Sequence, residues 1–332
     1  MDGICTLGND YVIDQIIALL NSIEVIYGQT MPVCIYPYDE NTEKLADEIA
    51  QRPYVTLYNQ QDSMQTWDKF TQDIWDLHPT AQKHWMDMGL SKYYRLGSHR
   101  RYGAFDGPFD HFVYMDADTI LMSKLDDIFA QLNNYDWVVY DFQFKDLSHI
   151  YSVSSVKLKD LFSQERLKTE VFCAGFYGSK KDIFPAARRE MILEWLRQGE
   201  AEVLFDMAAD QTILNYMVMR LGISQYNFAL NLPPGTATGN AVTSLHFENR
   251  DNILYDKGNR LTYLHYIGLS SQLFKKVCAG ENIEFPYRDI FLHYRYLHEP
   301  EKRPKFTTKG KAYNAPPSLS TKIFRKLGLT KK

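Results

Sequence analysis

Residues 116–118 read Asp-Ala-Asp, two carboxylates straddling one small residue, directly after the apolar run Asp110–Met115. In an extended segment alternate side chains point the same way. A short turn at that place therefore aims Asp116 and Asp118 at one cation. Mg2+ and Mn2+ take carboxylate oxygens together with substrate phosphate oxygens and keep positions open for the latter. A cation held so neutralises charge that builds on a departing diphosphate. The bland alternative is an acidic turn after a strand, since Asp-x-Asp recurs by chance. The apolar flanks, FVYM before and TILM after, favour the metal.

The elements around this pair alternate. Gly3–Leu7 reads as a strand, and the apolar residues from Val12 to Ile26 recur at helical spacing up to Gly28. Pro32–Tyr38, Tyr54–Tyr58, Asp110–Met115 and Trp137–Asp141 read as further strands. Asn41–Gln51, Thr80–Arg101 and Asp126–Asn133 read as helices. Strand–helix–strand units imply right-handed crossovers and a mostly parallel α/β sheet. Such sheets bind ligands at the carboxyl ends of their strands. Asp116 and Asp118 stand at one such end and Thr6–Tyr11 at another.

The second half is less regular. Phe142–Glu170 reads as an excursion over the cleft, outside the core. Val171–Gly178 reads as a strand, Lys181–Gln198 and Ala208–Leu221 as helices, Leu245–Glu248 and Leu261–His265 as short strands, and Tyr287–His298 as a helix. The expected organisation is one unit over residues 1–300, with a nucleotide-binding half (1–141), an acceptor-side half (142–300) and a basic tail (301–332).

Charge is unevenly placed. Residues 301–332 carry ten basic residues and one acid, and the remaining 300 carry 27 basic and 40 acidic, a charge of −13. So acidic a body excludes extended nucleic-acid binding, which needs a basic surface. Aromatics make up 14% of the chain, suited to cores and to clefts that take sugar rings. The four cysteines, at 5, 34, 173 and 278, form no Cys-x-x-Cys pair. Free buried thiols point to a reducing, cytoplasmic setting. Met1-Asp2 lacks the basic region of a leader, and no apolar run of spanning length occurs.

The segment YMDADTILMSKLDDIF (114–129) resembles the core signature of glycogenin-like retaining glycosyltransferases, a group that includes bacterial lipopolysaccharide galactosyl- and glucosyltransferases. TLGNDYV (6–12), LSKYYRL (90–96), FCAGFYGSKK (172–181), ADQTILNYM (209–217) and LHYIG (264–268) resemble other segments of that family in the same order. The resemblance covers about residues 1–270 and implies a GT-A, Rossmann-like fold. It implies Asp116, Asp118 and His265 as ligands of Mn2+ or Mg2+. It also implies contacts from Thr6, Asn9, Tyr11 and Ala117 to a nucleotide-sugar donor, with uridine the usual base. Lys92 would approach the donor, and Asp210 and Gln211 would flank the anomeric carbon. Each has a rival reading: His265 a hydrogen-bonded core residue, Asp210 a helix cap, Lys92 a solvated helix residue and Tyr11 a core ring.

Two departures stand out. LHYIG is not followed by the family's Lys-Pro-Trp, which leaves Lys275 or Lys276 as the candidate cation for the leaving diphosphate. Cys173 stands where the family often has Asn. In the tail, residues 318–332 have the pattern of a basic amphipathic segment, suited either to solvent or to an anionic membrane surface. A lipid-linked acceptor would fit the second option; a glycan or protein acceptor stays open. Rival functions are a sugar nucleotidyltransferase, disfavoured by the absence of a basic Gly-rich loop in TLGNDYV, and a catalytically silent nucleotide-sugar-binding or scaffolding protein on the same fold.

Overall fold

The computed structural model describes residues 1–315, so the amphipathic segment expected at 318–332 lies outside the described residues. The first eight strands are β1 (Asp2–Gly8), β2 (Val33–Pro37), β3 (Val55–Leu57), β4 (His111–Met115), β5 (Thr119–Leu121), β6 (Trp137–Val139), β7 (Phe176–Lys180) and β8 (Gln225–Asn227). Seven of them form one sheet in the order β3-β2-β1-β4-β7-β6-β8. Six run the same way, and β7 alone is antiparallel to both its neighbours. The expected mostly parallel α/β sheet is thus present.

The helices are α1 (Ile13–Tyr27), α2 (Glu43–Ile49), α3 (Gln61–Leu77), α4 (Ala81–Asp87), α5 (Asp126–Leu132), α6 (Lys157–Leu161), α7 (Gln164–Thr169), α8 (Ala186–Arg197), α9 (Asp210–Arg220), α10 (Phe228–Asn231), α11 (Ser271–Cys278) and α12 (Arg288–Arg295). Alternate residues of β1 and β2 enter opposite cores, as the strand period requires. Cys5, Leu7, Cys34 and Tyr36 pack with Trp67 of α3 and Leu214 of α9. Ile4, Val33 and Ile35 pack with Ile16 and Leu19 of α1. A third cluster joins Ile120 of β5 to Phe274 of α11 and Ile290 of α12.

The chain order reverses at β1, which has β2 on one side and β4 on the other. A crevice opens at the carboxyl ends of strands at such a point. The loops after β1 and β4 line it, and these carry Asn9–Tyr11 and Asp116–Asp118.

Several elements differ from the sequence reading. Helix α3 had no counterpart in it; its buried Met64, Trp67, Phe70, Ile74 and Trp75 form a stripe in an otherwise polar segment. The single helix expected over Thr80–Arg101 is broken. Gly89 adopts φ +73°, a left-handed conformation that ends α4, and tight helical turns resume only at Leu96–Asp106. The strand expected from Val171 starts at Phe176. The expected excursion 142–170 is partly core, because Ile150, Tyr151, Leu158, Phe162 and Leu167 are buried in the first cluster.

Candidate active site

The Asp116–Asp118 turn is fixed by its own backbone. Asp116 N donates to Gly175 O at 2.9 Å, and Thr119 N and Oγ1 both donate to Asp116 O, at 3.0 and 2.7 Å. A further strand, Tyr263–His265, then pairs antiparallel with β5 and sets His265 opposite Thr119. Tyr266 N donates to Asp118 O at 2.9 Å, locking the register. The side chains of Asp116, Asp118 and His265 consequently converge, with potential ligand atoms all within 4.8 Å of one another.

Room for an ion at this place depends on Gly175. A Cβ there would lie 2.3 Å from His265 Cε1 and 2.9 Å from Asp116 Oδ2. The bare Cα keeps open the space that Asp116 Oδ2 and His265 Nε2 both border. Two carboxylates and an imidazole suit Mn2+ or Mg2+ sharing a phosphate ligand, so the residues fit the expected metal.

Electrostatics bind the trio together. Burial opposes a charge on His265, but the Asp118 carboxylate, 3.4 Å from Nε2, raises the imidazole well above its ordinary range. Burial likewise opposes charge on Asp118, and His265 holds that carboxyl low. Burial pushes Asp116 up, an effect that Arg101 offsets and the Asp118 charge adds to. A divalent cation would take the place of the proton on His265.

Arg101 is the site residue that the sequence reading missed. It is buried, and its Nη2 pairs with Asp116 Oδ1 at 3.0 Å while its Nε faces Asp210 Oδ2 at 3.1 Å. Asp210 is the first residue of α9, one past the N-cap position, which Ala209 occupies; the capping alternative gives way to this ion pair. Burial would raise the Asp210 carboxyl, yet Arg101, then His99 and Arg95, keep it below the usual range. Ala209, just before it, sits at φ 42° and ψ −107°, a strained conformation of the kind that clusters at functional sites.

The other expected residues fall out differently. Asn9, Tyr11 and Ala117 line a cleft of about 810 Å³ that also holds Arg95, Arg101 and Lys275. Asn9 donates to Asp39 and accepts from Tyr11 N, fixing that loop. Thr6 is fully buried in β1 and is not in the cleft lining; Leu7 and Gly8 are. Gln211 braces loops, its Oε1 accepting from Ala174 N at 3.0 Å and its Nε2 donating to His149 O at 3.1 Å. Lys92 is exposed outside the cleft, 3.7 Å from Asp76 and over the Tyr93 ring. Lys275 reaches across to the Tyr11 ring, 4.2 Å from its centroid.

A second cavity, of about 630 Å³, is lined in part by His265 and includes Asp141, Cys173, Asn240 and Tyr263. Asp141 is buried and accepts from Gln143 N and Cys173 N. Its carboxyl is pushed up to about 7 by that burial, which the two backbone bonds offset only in part.

Comparison with known proteins accords with this architecture. The crystal structure of an active-site mutant of LgtC matches at TM-score 0.50 and 14% identity, over 83% of this chain and 94% of that one. LgtC in complex with donor and acceptor sugar analogs, described as a galactosyltransferase, matches at 0.49 and 15% over the same shares. The glycosyltransferase GlyE of Streptococcus pneumoniae TIGR4 matches at 0.46 and 13%, over 92% and 65%. At 14% identity the match at TM-score 0.50 speaks to the fold alone. No curated protein sequence matches the chain. Fold and sequence family together define a glycosyltransferase of GT-A fold. The chain belongs to the family described as "Mannosyltransferase putative", whose model matches residues 1–169, just over half its length. That description names mannose, a sugar that the sequence reading left open. Among the described residues no helix is long and apolar enough to cross a membrane.

Proposed function

We propose that this protein transfers a hexose from a nucleotide-sugar to a hydroxylated acceptor, using Mn2+ or Mg2+ held by Asp116, Asp118 and His265. The family description favours mannose, and the resemblance of the motifs implies uridine as the base and retention of configuration. The observation that carries this reading is the converging three-residue ligand set, whose carboxylates line the first cavity and whose imidazole lines the second. Bound there, the cation would stabilise charge on the leaving diphosphate.

The chain's own residues supply the rest. Asn9 and Tyr11 border the nucleoside end of the first cleft, and Lys275 offers its charge to the diphosphate. Among the described residues no carboxylate lies within ion-pair distance of Lys275, so its charge is free for a ligand. The acceptor enters by the second cavity and meets the donor beside His265. Asp210, kept anionic by Arg101, stabilises positive charge developing at the anomeric carbon. A departing phosphate oxygen takes the acceptor proton in a front-face attack.

A thermal-shift panel of UDP- and GDP-hexoses, with and without Mn2+, tests the reading. Ligand that binds the folded state raises its melting temperature. One donor should do so only when Mn2+ is present. Shifts by no donor, or equal shifts without Mn2+, would contradict it.

A further inference from the structure

We infer that Arg101 and Tyr114 are positioning residues that dedicate one oxygen of Asp116 to the cation, and that Arg101 ties the same carboxylate rigidly to Asp210. The inference rests on the metal reading of Asp116, Asp118 and His265.

Asp116 has two oxygens with unlike surroundings. Oδ1 accepts from Tyr114 Oη at 3.0 Å and pairs with Arg101 Nη2 at 3.0 Å. Oδ2 faces the bare Cα of Gly175, where His265 Nε2 also points. A carboxylate oxygen held by one hydrogen bond and one ion pair cannot rotate away without losing both, so Oδ2 is presented to the ion. Groups behind a metal ligand fix its orientation in this way.

Arg101 is itself over-determined. Its Nη1 donates to Ala174 O at 2.9 Å, its Nε donates to Ser98 O at 3.0 Å and faces Asp210, and its plane lies 4.7 Å over the Tyr114 ring. The planar fork meets two carboxylates and two carbonyls from separate segments at once. Lysine, with one nitrogen and no plane, cannot reproduce this. The Ala174 contact also matters because Gly175 follows it and supplies the space at the ion. One guanidinium therefore sets a metal ligand, the acid at the start of α9 and the loop that makes room for the metal.

The test measures Mn2+ affinity by calorimetry, on the whole chain, for wild type, Tyr114→Phe and Arg101→Lys. Tyr114→Phe removes one hydroxyl and keeps the ring, and should weaken Mn2+ binding about tenfold with little change in melting temperature. Arg101→Lys should weaken it by roughly 10- to 100-fold and lower kcat at saturating Mn2+. A Tyr114→Phe protein that binds Mn2+ like wild type overturns the inference, even if Arg101→Lys fails to fold. A folded Arg101→Lys protein of unchanged Mn2+ affinity overturns it as well. A wild type that binds no Mn2+ overturns the metal reading first, and this inference with it.

Discussion

The floor and the mouth of the first cleft are built on opposite plans. On the floor, Arg101 and Asp210 are buried and paired, and Asp116 and Asp118, more open, join that network through Arg101 and His265. At the mouth, Tyr11 is 47% exposed and the Lys275 ammonium lies over its ring. The floor therefore holds its geometry before any ligand arrives, whereas the mouth keeps charge in reserve for one. Preorganised charge carries catalysis, because it costs no rearrangement at the moment of reaction. Solvated charge carries affinity. Floor substitutions should strike metal binding and turnover together, and mouth substitutions should strike donor affinity alone.

The sharpest way to break this contrast is Gly175→Ala. The added methyl intrudes on His265 and Asp116, and transfer should fall by about 10³-fold. Steady-state kinetics over a Mn2+ series would show it, and near-normal activity would mean that the floor is more yielding than described.

Acid should reveal the layer behind the floor. His99 is fully buried, which lowers its pKa from 6.5 to about 4. Its neutral ring accepts from Trp75 Nε1 and meets Leu96 O. A lowered histidine pKa means that the unfolded chain binds the proton first, so its contribution to stability is complete above pH 6.5. That contribution fades as the pH falls toward 4, by about 3 kcal/mol at most. Urea melts across this window should flatten in His99→Gln. An unchanged slope would assign the acid sensitivity elsewhere.

At the mouth, Lys275→Ala should weaken binding of the nucleoside diphosphate about tenfold, as expected for one lost charge-assisted contact, and leave the free nucleoside unaffected. Calorimetry with both ligands checks this. Equal losses would place Lys275 at the base instead, through Tyr11. Smallest of all is Lys92→Ala, outside both regions: activity should stay within about twofold, and stability within about 0.5 kcal/mol. A large loss of activity would show that the segment 90–95 closes over the donor.

How much of this was legible follows from where each partner lies along the chain. Asp116 and Asp118 stand at the end of an apolar strand, a local signal, and the parallel sheet followed from local alternation too. His265 came only through resemblance, because the strand Tyr263–His265 reaches the pair through a long-range strand pairing that no local pattern announces. Arg101 was hidden by reading Thr80–Arg101 as one helix, a periodicity that the turn at Gly89 interrupts. Helix α3 was masked by its polar composition. The strand expected at Val171–Gly178 begins late because side chains satisfy the backbone of its first residues. Asn215 bonds Phe172, Asp141 accepts from Cys173 N, and Gln211 accepts from Ala174 N. Partners of that kind lie far off in sequence, and nothing in the apolar run itself distinguishes them from a ladder.

Electron paramagnetic resonance of Mn2+ bound to the wild-type chain and to Asp118→Ala, each with a nucleotide-sugar, asks whether Asp118 holds an ion that the reaction needs. The wild type should hold one ion per chain and turn over, and the variant should lose both the ion and the reaction. A variant that keeps the ion and normal turnover would show that Asp118 is not a ligand of a catalytic metal.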